Sequence, residues 1–235
     1  MEIWKLALLF FSALLGGVCI FLFKKSSTQE LKLILSLSGA YLFSITVLHL
    51  MPEVYREGGY HIGLFILGGF LLQILMEQFS EGIEHGHVHL HHGQRFPFGM
   101  MVSLCLHAFL EGMPLGQGQH NDLVFGISLH HIPAAFALGS VLLRSKIKKS
   151  AVFVLLALFA MMCPLGYWFS YLVGHGRVIG ISNYYASIMG IVIGIFLHIS
   201  TTILFESSVD HKFNTKKLIA VCIGITVALI GEFIV

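Results

Sequence analysis

Residues 97–117 read PFGMMVSLCLHAFLEGMPLGQ. The stretch holds one histidine, His107, and one carboxylate, Glu111, with no lysine or arginine. A helix needs about 20 apolar residues to cross the hydrocarbon core of a bilayer. Backbone polar groups find no water there, so the segment must satisfy them internally, as a helix does. The run therefore predicts a membrane-spanning helix with two ionisable side chains inside it. Seven further apolar runs of similar length lie near 3–23, 33–52, 61–80, 122–143, 151–173, 183–206 and 216–235. None shows the alternation of a barrel strand. The expected fold is an all-α integral membrane protein, an eight-helix bundle forming one transmembrane domain over residues 1–235.

Composition points the same way. The chain is 56% hydrophobic and 11% charged, against about 25% charged in an ordinary soluble domain, and its mean hydropathy is +0.85. A soluble enzyme, a disordered chain and a nucleic-acid binder are all excluded, because nothing could supply their polar surface. A net charge of +2 is too small to attract nucleic acid. The first run, Trp4 to Phe23, has no small-residue cleavage site after it and reads as a retained helix. Cys19, Cys105, Cys163 and Cys222 each sit in an apolar run and read as buried small hydrophobes.

Eight spans also sort the basic residues. Lys24, Lys25, Lys32, Arg95, Arg144, Lys146, Lys148, Lys149, Lys212, Lys216 and Lys217 fall on one side, and only Lys5, Arg56 and Arg177 on the other. The basic-rich side is read as cytoplasmic. Both termini are then expected to face away from the cytoplasm, with the chain multi-pass in the cell (inner) membrane.

Fourteen histidines in so apolar a chain need a reason. A carboxylate at mid-membrane costs about 2.5–3.5 kcal/mol on insertion scales, so it needs a partner or a polar path. His107 and Glu111 are four residues apart and share one helical face. Imidazole nitrogen and carboxylate oxygen at that spacing can bind one divalent ion. In the fifth span, His130 and His131 precede Pro133, which frees the carbonyl of Leu129, and Pro114 frees that of Leu110. Both proposed ligand helices are thus perturbed beside the ligands, as tolerated where backbone lines a site. His107, Glu111 and His130 form the expected centre between the fourth and fifth spans. His131 joins the candidate set as ligand, gate or packing residue.

Other groups extend in both directions. His49 and Glu53, in LHLMPE at 48–53, repeat the i, i+4 pattern at the outer end of the second span. They read as an access site for the ion or a solvated helix end. His198, Thr202 and Glu206 fall at i, i+4, i+8 of the seventh span, as an exit path or as interhelical hydrogen bonds. Glu77 and Glu81, with Glu84 and His85 next, read as receivers of a released ion or as a solvated helix end. The cytoplasmic loop at 84–95 contains EHGHVHLHH. Its His85, His87, His89, His91 and His92 are expected to handle metal weakly, as an accessory. Gly112/Gly116 and Ala135/Gly139 form small-residue faces expected to hold the fourth and fifth spans together.

HAFLEGMPLG at 107–116, HHIPAAFALGS at 130–140, the LHLMPE segment and the histidine-rich third loop resemble the ZIP (Zrt-, Irt-like protein) family of divalent metal transporters. Eight spans and outward termini agree with its topology. The resemblance implies uptake of Zn2+, or of another divalent ion such as Fe2+, Mn2+ or Cd2+, towards the cytoplasm. It implies His107, Glu111 and His130 as ligands. The chain departs from the family pattern at Ala108 (usually Asn), His131 (usually acidic or polar) and Ala134 (usually Glu). A single site richer in imidazole than usual is expected, without a bridged second metal.

The leading expectation is therefore a transporter, not an enzyme, working by alternating access on a metal ion, with the bilayer and optionally a second copy of the chain as partners. The second reading is an intramembrane zinc hydrolase using the same His/Glu ligands and a metal-bound water. Polar groups continuing towards both faces argue for a route rather than a closed pocket. A third reading is a membrane metal sensor that binds the ion without moving it.

Overall fold

The computed structural model describes residues 2–22, 28–80, 82, 97–116, 121–175, 184–205 and 215–234. Helix α1 (Ile3–Val18) ends in a 3-10 turn, Cys19–Phe21. α2 (Thr28–Ile45) passes through a π turn, Thr46–Leu50, into α3 (Met51–Gly58). Then come α4 (Ile62–Ser80), α5 (Phe98–Gly112) with a 3-10 turn at Met113–Gly116, α6 (Asn121–Arg144), α7 (Lys149–Gly174), α8 (Tyr185–Phe205) and α9 (Thr215–Ile234). No strand occurs among the described residues. With α2 and α3 as one rod the described residues form eight helical segments, of which seven are long and apolar enough to cross a membrane.

The second segment runs six residues beyond the expected end at 52, to Gly58. Pro52 explains the π turn before it. It lacks an N–H for the carbonyl of Leu48, and its ring crowds that carbonyl, so the preceding turn widens. Two buried hydroxyls bond back to carbonyls of α2: Ser44 Oγ donates to that of Ala40 (2.9 Å) and Thr46 Oγ1, at the start of the π turn, to that of Leu42 (2.7 Å). This satisfies polar groups that lipid could not.

The helices pack in two groups. α1, α5, α6 and α7 share a core containing Ala13, Leu104, Leu138, Leu156 and Phe159. α2, α4 and α8 share another, made of Leu35, Met76, Ile195, Ile199 and Ile203, and α9 lies against α2. A third cluster, including Leu9, Leu42, Ile127 and Phe196, joins the groups.

Glycine sets the closest approaches. A Cβ at Gly112 would strike the Cys163 carbonyl, one at Gly166 that of Phe109, and one at Gly194 that of Ile66. These contacts correct one expectation. Gly112 and Gly116 meet α7, at Cys163 and Ser170, and Gly139 meets α1 at Gly17. They do not join α5 to α6. Helical periodicity gives the reason: Gly112 lies about 100° round the helix from Glu111, and Gly139 about 180° from His130. The small faces therefore point away from the histidine faces.

The first and last helices reach the same end of the bundle. The Glu2 backbone N–H donates to Tyr167 Oη at 3.1 Å, and the Trp4 and Phe125 rings lie 6.1 Å apart. Gly231 of α9 lies beside Asp122 at the start of α6. Lys217 Nζ donates to the Ile203 and Leu204 carbonyls at 3.2 and 2.6 Å. It thereby gives a donor to carbonyls in the last described turn of α8. The cysteines differ from expectation: Cys163 is buried, Cys19 and Cys105 are half-buried, and Cys222 is exposed on the outer face of α9. An apolar face turned outward accommodates a thiol as readily as a core does.

Candidate metal centre

The two helices with perturbed backbone supply the centre. On α5, His107 and Glu111 stand one turn apart, as the i, i+4 spacing requires. α5 gives way to the 3-10 turn containing Pro114 one residue after Gly112. On α6, His130 and His131 precede Pro133, which the helix carries in its interior.

His107 (2% exposed), Glu111 (0%), His130 (0%) and His131 (1%) are all buried. One ligand atom from each of His107, Glu111 and His130 lies within 4.8 Å of the others. His107 Nε2 is 3.4 Å from Glu111 Oε2. Tetrahedral zinc with bonds of about 2.0–2.2 Å places its ligand atoms about 3.3–3.6 Å apart. The His107–Glu111 pair already has that separation. The His107 and His130 rings are 6.2 Å apart and nearly perpendicular. Among the described residues, Glu111 Oε1 and His107 Nδ1 are buried without a hydrogen-bond partner.

His131 is placed differently. Its Nε2 lies 2.6 Å from Glu111 Oε2, and the Phe159 ring covers it at 5.8 Å. Ala134, on the same face as His130 one turn later, is buried and brings no carboxylate.

Two flanking candidates come together. Glu77 on α4 and His198 on α8 pair at 3.4 Å (Oε2 to Nε2), with the Phe70 ring 4.9 Å from that of His198. Sequence reading missed Gln73, which is fully buried on α4 one turn before Glu77. The available signal was an amide four residues from a carboxylate in an otherwise apolar run. His49 lies within the π turn and Glu53 in α3, both half-buried. Glu81, Glu206 and the loop histidines His85, His87, His89, His91 and His92 lie outside the described residues.

This arrangement suits a divalent cation. A fully buried carboxylate in lipid is costly alone, and here imidazoles approach it from two helices. Imidazole and carboxylate together are ligands for zinc and its neighbours.

Comparison with known proteins agrees. Residues 95–231, more than half of the chain, match the family described as ZIP Zinc transporter. "Protein zntD" of Dictyostelium discoideum is 26% identical over 151 residues, covering 57% of this chain and 22% of that protein. "Zinc transporter ZIP1" of Danio rerio is 27% identical over 138 residues, covering 57% of this chain and 44% of that protein. The chain thus spans less than half the length of these relatives. The matched region contains both ligand helices, and the chain belongs to the ZIP zinc transporter family.

Proposed function

We propose that this protein carries a divalent transition-metal cation, Zn2+ first among them, across the membrane towards the cytoplasm. The observation that carries the reading is the buried Glu111 with His107 and His130 within 4.8 Å, on two helices. The ion is the substrate. It binds at this centre, with His131 beside it, after reaching it past His49 and Glu53. It leaves past the Glu77–His198 pair and Glu206 towards the histidine-rich loop. Binding requires neutral imidazole and ionised carboxylate, so protons compete with the ion and assist release.

The two-group packing supports alternating access. All the centre's ligands lie in the α1, α5, α6, α7 group, whereas Glu77 and His198 lie in the other. Movement of one group against the other would change which side the centre faces without dismantling it. In this reading α9 is an eighth span, the chain is one transmembrane domain, and the basic-rich side is cytoplasmic.

The test is reconstitution into metal-free vesicles holding a zinc-sensitive dye. Zn2+ is expected to enter faster than in empty vesicles, with no release of fatty acid from the lipid. Zinc binding without zinc movement contradicts a transporter. Metal-dependent lipid cleavage would instead support a hydrolase.

A further inference from the structure

We propose that His131 is a positioning residue for Glu111 and does not itself bind the metal. The proposal rests on the reading of His107, Glu111 and His130 as the ion's site.

Two imidazoles approach the same carboxylate oxygen, at different distances. His107 Nε2 stands 3.4 Å from Glu111 Oε2 and His131 Nε2 stands 2.6 Å from it. The first separation suits two atoms sharing one tetrahedral ion, whose ligand edges are about 3.3–3.6 Å for zinc. The second does not. At 2.6 Å, two ligands with zinc bonds of about 2.05 Å would subtend only about 80° at the ion, far from tetrahedral. It is the length of a charge-assisted hydrogen bond, in which an imidazole N–H donates to a carboxylate. That bond also commits Nε2 as a donor, and a nitrogen carrying its proton has no lone pair for a metal.

The other ring nitrogen, Nδ1, keeps a lone pair, but the compact group of ligand atoms, with either ring nitrogen considered, is completed by His130 and not by His131. His131 follows His130 by one residue, about 100° round α6. The two side chains therefore reach Glu111 from different directions. Phe159, itself buried, packs against the His131 ring at 5.8 Å and limits its rotation. The consequence for Glu111 is orientation. One lone pair of Oε2 accepts from His131, which fixes the carboxylate plane and leaves the rest of the group to the ion. Such outer partners of ligands typically change metal affinity about 10–100-fold.

The experiment uses the 235-residue chain in lipid nanodiscs, loaded with Zn2+. Competition with a chromophoric chelator gives the affinity, and zinc-edge X-ray absorption counts the imidazoles on the ion. The parent is expected to show two imidazoles. His131→Phe retains two and binds about 10–100-fold more weakly. His131→Gln, whose amide N–H can donate to Oε2 from nearly the same place, recovers most of the affinity. Three imidazoles in the parent falling to two in His131→Gln overturn the proposal, as does a Gln variant as weak as the Phe variant. His107→Ala tests the underlying site separately. It is expected to lose one imidazole and most binding, and unchanged zinc binding there overturns the site itself.

Discussion

Gly16 on α1 lies against the α6 backbone at Ile132, the residue between His131 and Pro133. A Cβ at Gly16 would stand 2.5 Å from the Ile132 carbonyl oxygen and 2.7 Å from its Cα, where ordinary contact begins at 3.4 Å. Gly16→Ala therefore needs about 0.9 Å of separation, the difference between 3.4 and 2.5 Å. Both partners are backbone, so no side chain can yield. α1 or α6 must move, and α6 carries His130 and His131 at that turn. Overpacking of this kind costs about 1–3 kcal/mol, and a binding constellation tolerates only about 0.5 Å of displacement. Gly16→Ala is expected to lower the unfolding midpoint and weaken zinc binding about 10–100-fold, with uptake falling in parallel. Gly68→Ala is the control, because its Cβ would meet nothing within 4 Å. There a small gain of about 0.5–1 kcal/mol is expected from helix propensity, with zinc affinity unchanged. Chelator competition and thermal unfolding in detergent read both variants. If Gly16→Ala folds and binds zinc as the parent does, α6 is not fixed by that contact and the reasoning fails.

Ala134→Glu would bury a second carboxylate one turn from His130. The metal-free chain should unfold at a lower temperature than the parent, and zinc should recover more of the loss than it adds to the parent; an equal zinc effect in both places residue 134 away from the ion. Lys217→Met removes the donor to the Ile203 and Leu204 carbonyls and should cost about 1–3 kcal/mol in unfolding free energy, with zinc affinity preserved. Acidification should weaken binding, because His107, His130 and Glu111 must all be deprotonated to hold the ion; an affinity that does not fall between about pH 8 and 5.5 contradicts imidazole ligation. Glu77→Gln removes the anionic partner of His198 and should slow uptake while leaving zinc affinity at the centre unchanged.

The helical architecture was legible because membrane-length apolar runs permit little else. The pairing of helices was not. Gly112, Gly194 and Gly16 look alike in sequence, and only their partners show which helices they join. At the centre, the spacing of His107 and Glu111 was sufficient, since one helix fixes their relation. The role of His131 could not be read from the sequence, because it differs from the neighbouring His130 only in the direction it takes from the helix. In the structure His131 Nε2 lies 2.6 Å from Glu111 Oε2, whereas His130 completes the compact group of ligand atoms. The π turn at Thr46–Leu50 escaped notice because a widened turn leaves the hydrophobic pattern intact, although Pro52 was visible. Glu77 and His198 are 121 positions apart in the chain, and nothing local links them.

The central claim is that His107, Glu111 and His130 hold an ion that the protein moves. It is tested most directly by zinc uptake into metal-free proteoliposomes containing either the parent or His107→Ala/Glu111→Ala, matched for protein incorporation and thermal stability. The account predicts saturable uptake by the parent and uptake no faster than in empty vesicles for the double variant. Uptake by the double variant at the parent's rate would contradict it.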